Sequence, residues 1–324
     1  GFTNYTIVPQ QAIADPEFPD TPHPNPQYPQ AFHMAIQLGQ KINADVLIAT
    51  DPDADRLGAA VRQPDGEYKL LTGNQIASIL LNYILKAKQK AGTLPKNGRV
   101  VKSIVSTELA TQIANHYGVE MKNVLTGFKY IGQQIKEYEK TQQHTFLFGF
   151  EESYGYLIKP FVRDKDAIQS TMLLAEVAAY YKSRGMTMYD GLQAIYRKYG
   201  YFKEYTTSKL FSGINAHHEM QNVLAKLRKA RLTSFNGQKI EKVQDFLSSK
   251  TTLANGQISP INLPKSNVMK YWLADGTWLT VRPSGTEPRV RFYIGTRDQT
   301  NQAVIKRLNS YKRAVANLIQ KLTK

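Results

Sequence analysis

Apolar residues follow two different periods along this chain. Between about residues 30 and 200, short apolar runs alternate with stretches in which apolar residues recur every three or four positions. A helix is predicted at 30–42. The run Val46-Leu47-Ile48-Ala49 then predicts a buried parallel strand at 45–50. Residues 58–61 and 68–71 read as a hairpin around Pro64-Asp65-Gly66. Ile76, Ile79, Leu80, Tyr83 and Ile84 keep helical spacing and place a helix at 74–90. A strand is expected at 99–105, followed by a helix capped by Ser106 and running to His116, with Gly118 as its stop. A strand at 119–125, the loop Thr126-Gly127-Phe128-Lys129 and a helix at 131–140 come next. A strand at 145–150 and helices at 166–183 and 188–198 close the series. Strands alternating with helices indicate an α/β architecture with a largely parallel sheet.

After Gly200 the pattern changes. A strand at 201–211, a basic amphipathic helix at 217–231 and a short mixed segment at 238–247 lead to strands at 268–272, 278–282 and 290–294, then a helix at 299–321. This reads as an α+β module with an antiparallel sheet. At the other end, residues 5–8 read as one short strand. Residues 15–30 hold six of the fifteen prolines and read as an extended loop. Two strands and one helix cannot cover both faces of a doubly wound sheet. The expected organisation is α/β throughout: a partial mixed-sheet α/β domain at 1–65, a complete α/β domain of the same type at 66–205, and a C-terminal α+β domain at 206–324.

Composition narrows the field. At 324 residues there is ample core for two or three domains, and the absence of cysteine excludes disulfides and thiolate metal sites. No apolar run approaches bilayer length and no secretory leader is visible, so the expectation is a soluble, cytoplasmic protein with no membrane partner. The net charge of +16 attracts anions: nucleic acid, acidic surfaces or phosphorylated small molecules. The basic residues read as dispersed over solvated helix faces, with no nucleic-acid recognition motif, so no nucleic-acid partner is expected.

The densest candidate chemistry is Asp51-Pro52-Asp53-Ala54-Asp55-Arg56, directly after the first apolar strand. Three carboxylates this close repel one another unless a cation lies between them, and carboxylate oxygens suit Mg²⁺. A calcium EF-hand fails, because its sixth and twelfth positions would be Arg56 and Arg62 instead of Gly and Glu. An acidic surface turn is the competing reading. A second candidate is Arg282-Pro283-Ser284-Gly285-Thr286-Glu287-Pro288, between two strands. Its guanidinium, its hydroxyls and a glycine that lets backbone N–H groups turn inward suit a phosphate, with Arg289 and Arg291 sharing one face of the next strand. An ordinary hairpin loop competes. Glu151-Glu152-Ser153 at a strand end can hold sugar hydroxyls or merely begin a helix, and Lys165 within Arg163-Asp164-Lys165-Asp166 reads as an acid–base group or an exposed cap. P-loop and dinucleotide fingerprints are absent.

Taken together, these segments resemble the α-D-phosphohexomutase family, the phosphoglucomutases and phosphomannomutases, over essentially the whole chain and in the family's motif order. The resemblance implies Mg²⁺ on Asp51, Asp53 and Asp55, with Arg56 adding positive charge. It assigns Thr126 and Gly127 to a substrate-contacting loop, and Glu151 and Ser153 to sugar hydroxyls. Lys165 falls near the reacting hydroxyl. Arg282, Ser284, Gly285, Thr286 and Arg291 fall on the distal phosphate. The implied activity is interconversion of hexose 1-phosphate and 6-phosphate, glucose favoured by the EESYG form. It proceeds through a phosphoserine and a bisphosphorylated sugar, with glucose 1,6-bisphosphate as activator and intermediate. The family's Ser-His-Asn serine context does not occur in this sequence. The chain is therefore expected to start within the second domain, to lack its N-terminal serine-bearing partner domain, and to be inactive alone. The alternative is a non-catalytic sugar-phosphate-binding module.

Overall fold

A computed structural model describes residues 2–323. The chain divides into two compact units, one running to Tyr199 and one from Gly200 onward.

In the first unit, two short 3₁₀ turns precede α1 (His33–Ile42), β1 (Val46–Thr50), β2 (Leu57–Arg62) and β3 (Tyr68–Leu70), which pair as an antiparallel meander β1-β2-β3. Then come α2 (Gly73–Lys90), β4 (Gly98–Ser103), α3 (Leu109–His116), β5 (Glu120–Val124), α4 (Phe128–Thr141), β6 (Thr145–Glu151), β7 (Gly155–Leu157), α5 (Ala167–Lys182) and α6 (Met188–Tyr199). The second sheet has the order β5-β4-β6-β7, parallel except for the β6–β7 hairpin. β4 is nearly all buried, as expected of a central parallel strand covered on both faces. Ile131 and Ile135 of α4 pack against Val101 and Val124, while α2 packs against β6 and α3. Thr72 starts α2 with a full capping box, its hydroxyl accepting the Gln75 N–H and the Gln75 side chain accepting the Thr72 N–H.

The second unit contains β8 (Tyr201–Leu210), α7 (Ala216–Ala230), β9 (Ser234–Phe235), β10 (Gln238–Asp245), β11 (Lys250–Leu253), β12 (Ile258–Pro260), β13 (Met269–Leu273), β14 (Trp278–Pro283), β15 (Arg289–Asp298) and α8 (Asn301–Thr323). Its antiparallel sheet runs β12-β11-β10-β13-β14-β15-β8, with β9 on β10. One face packs against both helices: Met220, Val223 and Leu224 of α7 and Leu308, Tyr311 and Val315 of α8 join Tyr271, Leu279, Val281, Phe292 and Ile294.

Several expectations need correction. Residues 5–8 form no strand; Tyr5 and Ile7 are exposed and no strand pairs with them. β1 is an edge strand paired antiparallel to β2, with only Leu47 buried, so its apolar run does not mark a buried parallel strand. Ser106 caps no helix. α3 begins three residues later, and the Ser106 hydroxyl turns inward to Ser103 and Glu152. The 126–129 loop is shorter than expected because α4 already begins at Phe128. β7, β9, β11 and β12 are short strands that apolar runs do not reveal. The mixed segment at 238–247 is the long strand β10. Among the described residues no helix is long and apolar enough to cross a membrane.

In the second unit, Arg228 of α7 reaches Asp245 at the end of β10, with Nη2 3.0 Å from Oδ1 and Nε 3.2 Å from each carboxylate oxygen. Burial alone would raise the Asp245 carboxyl, but the donors of Arg228, Ser248 and the Leu247 N–H outweigh it and hold it below the ordinary value. A depressed folded pKa adds stability above the unfolded value near 3.9, and that stability disappears as pH falls through the folded value. Asp245→Asn is expected to lose about 1.5–3 kcal/mol at neutral pH. Urea unfolding of both proteins across a pH series should show the gap closing in acid; a constant gap would refute the assignment.

Candidate functional site

The acidic turn connects two strands that are already paired, β1 and β2. Asp51 is 9% exposed, and its Oδ1 accepts the N–H groups of Asp55 (3.1 Å) and Arg56 (2.9 Å). The Ala54 N–H donates to the Asp51 carbonyl, and Ala54 takes a left-handed φ of 54°. This compact turn brings one oxygen from each of Asp51, Asp53 and Asp55 within 4.8 Å of the others, with Asp53 exposed. Arg56 Nε lies 3.5 Å from both Asp51 Oδ2 and Asp55 Oδ1, and Lys165 Nζ lies 2.7 Å from Asp55 Oδ2. Burial raises the Asp51 carboxyl; the Arg56 N–H opposes the shift, and the charges of Asp55 and Asp53 add to it. For Lys165, burial works towards a lower pKa, but Asp55 and Asp164 outweigh it and keep the ammonium above its ordinary value.

The donor set fits a hard divalent ion. Magnesium–oxygen bonds of about 2.1 Å put neighbouring ligand oxygens roughly 3.0 Å apart and opposite ones roughly 4.2 Å apart, so binding an ion would draw the three oxygens inward. Asp55 Oδ1 is buried and accepts no hydrogen bond, an acceptor left over for a cation.

Main-chain bonds tie this turn to the β6–β7 hairpin. Leu57 N–H donates to the Tyr154 carbonyl (2.9 Å), and Arg56 forms an isolated bridge with Gly155. From the start of α5, Ala167 N–H donates to the Ala54 carbonyl (2.9 Å), and Asp166 N–H donates to the Tyr156 carbonyl (2.9 Å). Gly155 has no room for a side chain: a Cβ there would stand 2.2 Å from Lys165 Cδ. The Lys165 stem therefore lies over Gly155 on its way to Asp55.

Glu151 is the last residue of β6 and only 6% exposed; its Oε1 accepts the Gly127 N–H (2.7 Å) at the start of α4. Beside Gly127, the Thr126 hydroxyl is buried without a hydrogen-bond partner. Ser153 sits half-buried on the hairpin turn. Thr126, Gly127, Glu151 and Ser153 thus belong to two adjoining segments, and Arg56, Lys165 and the aspartates to a third joined to the hairpin. The sequence does not reveal what holds the turn. Glu152 Oε2 accepts the hydroxyls of Ser103 (3.0 Å) and Ser106 (3.4 Å), both fully buried at the end of β4. These partners lie 49 and 46 positions away, so no local spacing could reveal them.

In the second unit, Arg282 at the end of β14 stands directly opposite Arg291 of β15. Like charges in that register repel. Glu287 offsets part of this, with Oε1 2.8 Å from Arg289 Nε and 3.6 Å from Arg291 Nη2. Arg289 Nη1 also donates to the Ser208 hydroxyl (3.0 Å). The loop is held by the Ser284 N–H on the Arg289 carbonyl (2.7 Å), and the hydroxyls of Ser284 and Thr286 lie 3.3 Å apart. Nε atoms of Arg282 and Arg291 are buried without hydrogen-bond partners. Gly285 does not take the left-handed conformation of an inward-turned nest. A Cβ there would meet nothing within 4 Å, so this residue leaves open space beside the arginines.

Comparison with known proteins agrees with these features. Models of the phosphoglucomutase/phosphomannomutase family match residues 1–66 (alpha/beta/alpha domain II), 72–199 (alpha/beta/alpha domain III) and 224–307 (C-terminal domain). The chain belongs to this family. It is 41% identical over 294 residues to a phosphoglucomutase of Staphylococcus epidermidis, covering 90% of this chain and 53% of that protein. A Staphylococcus aureus phosphoglucomutase is 36% identical over 310 residues, covering 95% and 55%. The chain thus spans about half the length of these relatives. In fold it is similar to parafusin, a phosphoglucomutase from Paramecium, in its open form (TM-score 0.60, 18% identity, 92% of this chain and 50% of that one). It is also similar to a phosphoglucomutase/phosphomannomutase family protein from Burkholderia thailandensis (TM-score 0.59, 16% identity, 91% and 52%).

Gly155→Ala is expected to push Lys165 away from Asp55 and to cost about 1–3 kcal/mol. Gly285→Ala, with open space around it, should change stability by less than about 0.5 kcal/mol. Urea denaturation of the two variants checks both; equal effects would show that the Lys165 stem does not need the Gly155 gap.

Proposed function

We propose that this chain supplies the metal-, sugar- and distal-phosphate-handling parts of a mutase that interconverts hexose 1-phosphate and 6-phosphate, with glucose the favoured sugar. The observation that carries the reading is the acidic triad, within 4.8 Å and main-chain bonded to the hairpin bearing Glu151 and Ser153. Such a cluster is a ready set of oxygen ligands for a divalent ion, and an ion held there would face an anionic reactant.

Asp51, Asp53 and Asp55 would hold Mg²⁺, which when bound supplies positive charge against a transferring phosphoryl group. Arg56 adds a fixed cation to the same centre. Glu151 and Ser153 grip neighbouring sugar hydroxyls, one as acceptor and one as donor or acceptor. Lys165 serves the reacting oxygen: its ammonium, paired with Asp55, donates a proton to a departing sugar oxygen, and the amine so formed takes one back from an attacking hydroxyl. Arg282 and Arg291, with Ser284 and Thr286, clamp the non-reacting phosphate, so its binding energy orients the sugar. A sugar carrying two phosphates, such as glucose 1,6-bisphosphate, suits this division, because either phosphate can occupy the clamp. The phosphoryl carrier is assigned to a serine outside this sequence, on a partner domain of the same protein.

Isothermal titration with Mg²⁺ is expected to give saturable binding that Asp53→Asn weakens about tenfold or more. Asp53 is exposed, so its loss spares the fold. Glucose 1,6-bisphosphate is expected to bind the chain, with Arg282→Ala losing about tenfold or more. A coupled glucose 1-phosphate to glucose 6-phosphate assay on this chain alone should stay at the blank. Equal affinities for wild type and variants would sink the site assignment; turnover well above blank would sink the claim that the carrier lies elsewhere.

A further inference from the structure

Sequence order makes the positive charge look dispersed, but the units divide it very unevenly. Residues 200–324 hold 21 Lys and Arg against seven Asp and Glu, which is +14 of the total +16. The Arg282 loop accounts for only a few of these charges. Another group lies at the opposite end of the same strands, beside the β13–β14 turn. Arg282 is four residues along β14 from Trp278, roughly 13 Å at 3.3 Å per residue.

At that far end the sheet carries a groove of about 790 Å³ between β10, the end of β11 and the β13–β14 turn. This size lies within the range of small-molecule sites, about 300–1,000 Å³. The groove is shaped by an irregularity in β10, where the pairing with β13 shifts between Ile240 and Lys242 and leaves Glu241 as the extra residue. Bulges of this kind re-aim side chains. The floor includes the half-buried indole of Trp272, whose Nε1 donates to Gln244 Oε1 at 3.0 Å. Lys270, 2% exposed, holds its ammonium 4.2 Å from the centre of that ring, and Lys242 lies 4.5 Å from it. The indole is therefore fixed in place before any ligand arrives. Lys239, Lys242 and Arg297 line the walls. Of the two acids in the lining, Asp275 is already engaged, accepting from the Tyr311 hydroxyl (2.9 Å) and lying 3.8 Å from Arg307 Nε. Glu241 is exposed.

We propose that this groove binds a nucleoside polyphosphate, with the base stacked on Trp272 and the phosphates held by Lys239, Lys242 and Arg297. An anchored indole offers a flat face that any base can stack on. Lys239 and Arg297 outnumber the one uncommitted acid, and together with Lys242 they supply donors for more than one phosphate. A hexose phosphate lacks the flat π-system that would use the ring. Lys242, on a flexible stem above the indole, swings to the phosphates as the base takes its place.

The test is fluorescence titration with ADP in the absence of divalent ions. The chain has two tryptophans, and Trp278 is only 2% exposed, so a stacking ligand reports mainly through Trp272. Saturable quenching is expected, and it should vanish in Trp272→Phe. The double variant Lys239→Ala/Arg297→Ala removes two exposed side chains, so its fold is safe; calorimetry should show ADP affinity about tenfold weaker or more. Glucose 1,6-bisphosphate is expected to displace ADP at least tenfold less well than ATP does. The proposal fails if ADP gives no saturable signal, or if the quench survives Trp272→Phe. It also fails if the double variant binds as the wild type, or if glucose 1,6-bisphosphate competes as well as ATP.

Discussion

Three carboxylates held within 4.8 Å of one another are the constraint around which the first unit is built. At such distances each pair repels by about 1 kcal/mol in water and several-fold more where the effective dielectric is lower. A flexible loop would relieve this by splaying outwards. Here the main chain prevents it. Asp51 Oδ1 is used up by two N–H groups of its own turn, Ala54 is held left-handed, and Ala167 N–H pins the Ala54 carbonyl from outside. Arg56 and Lys165 offset part of the negative charge, Arg56 through ion pairs with Asp51 and Asp55, while Asp55 Oδ1 accepts no hydrogen bond. The cluster is thus held in tension, compensated enough to fold and short of the charge that a divalent ion would bring.

The same bonds make the acidic turn and the β6–β7 hairpin one mechanical object. Leu57 N–H on Tyr154, the Arg56–Gly155 bridge and the Lys165 stem over Gly155 leave little freedom for the two segments to move apart. Behind them, Glu152 is anchored by two buried serines, so the hairpin turn is fixed from the β4 side as well. The positions of Glu151 and Ser153 are therefore set by the backbone and by the buried hydroxyls behind them.

The elements with strong periodicity were legible: α2 from its apolar spacing, β14 and β15 from their apolar runs, and α8 as a closing helix. So was the clustering of Asp51, Asp53 and Asp55, because spacing alone places three like charges on one short turn. Orientation was not. The run at 46–49 is compatible with a buried parallel strand or an antiparallel edge, and only pairing with β2 decides between them. Ser106 has the residue type and position of a cap, yet its hydroxyl is drawn to Glu152, a partner that no local rule links to it. The small strands β11 and β12 are carried by neighbours, with mostly exposed side chains, and so leave no hydrophobic signature.

The second unit meets the same problem with the sign reversed, and its answer differs in range. Arg282 and Arg291 face each other across a strand pair, with Glu287 offsetting part of their charge. The first unit carries only the remaining +2, so no long-range field of its own draws a cation to the triad. In the second, a +14 excess surrounds the arginine pair. At physiological ionic strength that field reaches about 8 Å before screening dominates. It raises the local concentration of any phosphate-bearing molecule, whichever end of the sheet that molecule settles on. On the two proposals above, selectivity comes from short-range features: hydroxyls and open space at the 284–286 loop, a fixed indole at the far groove. Charge brings anions to this unit, and shape decides which of them stay.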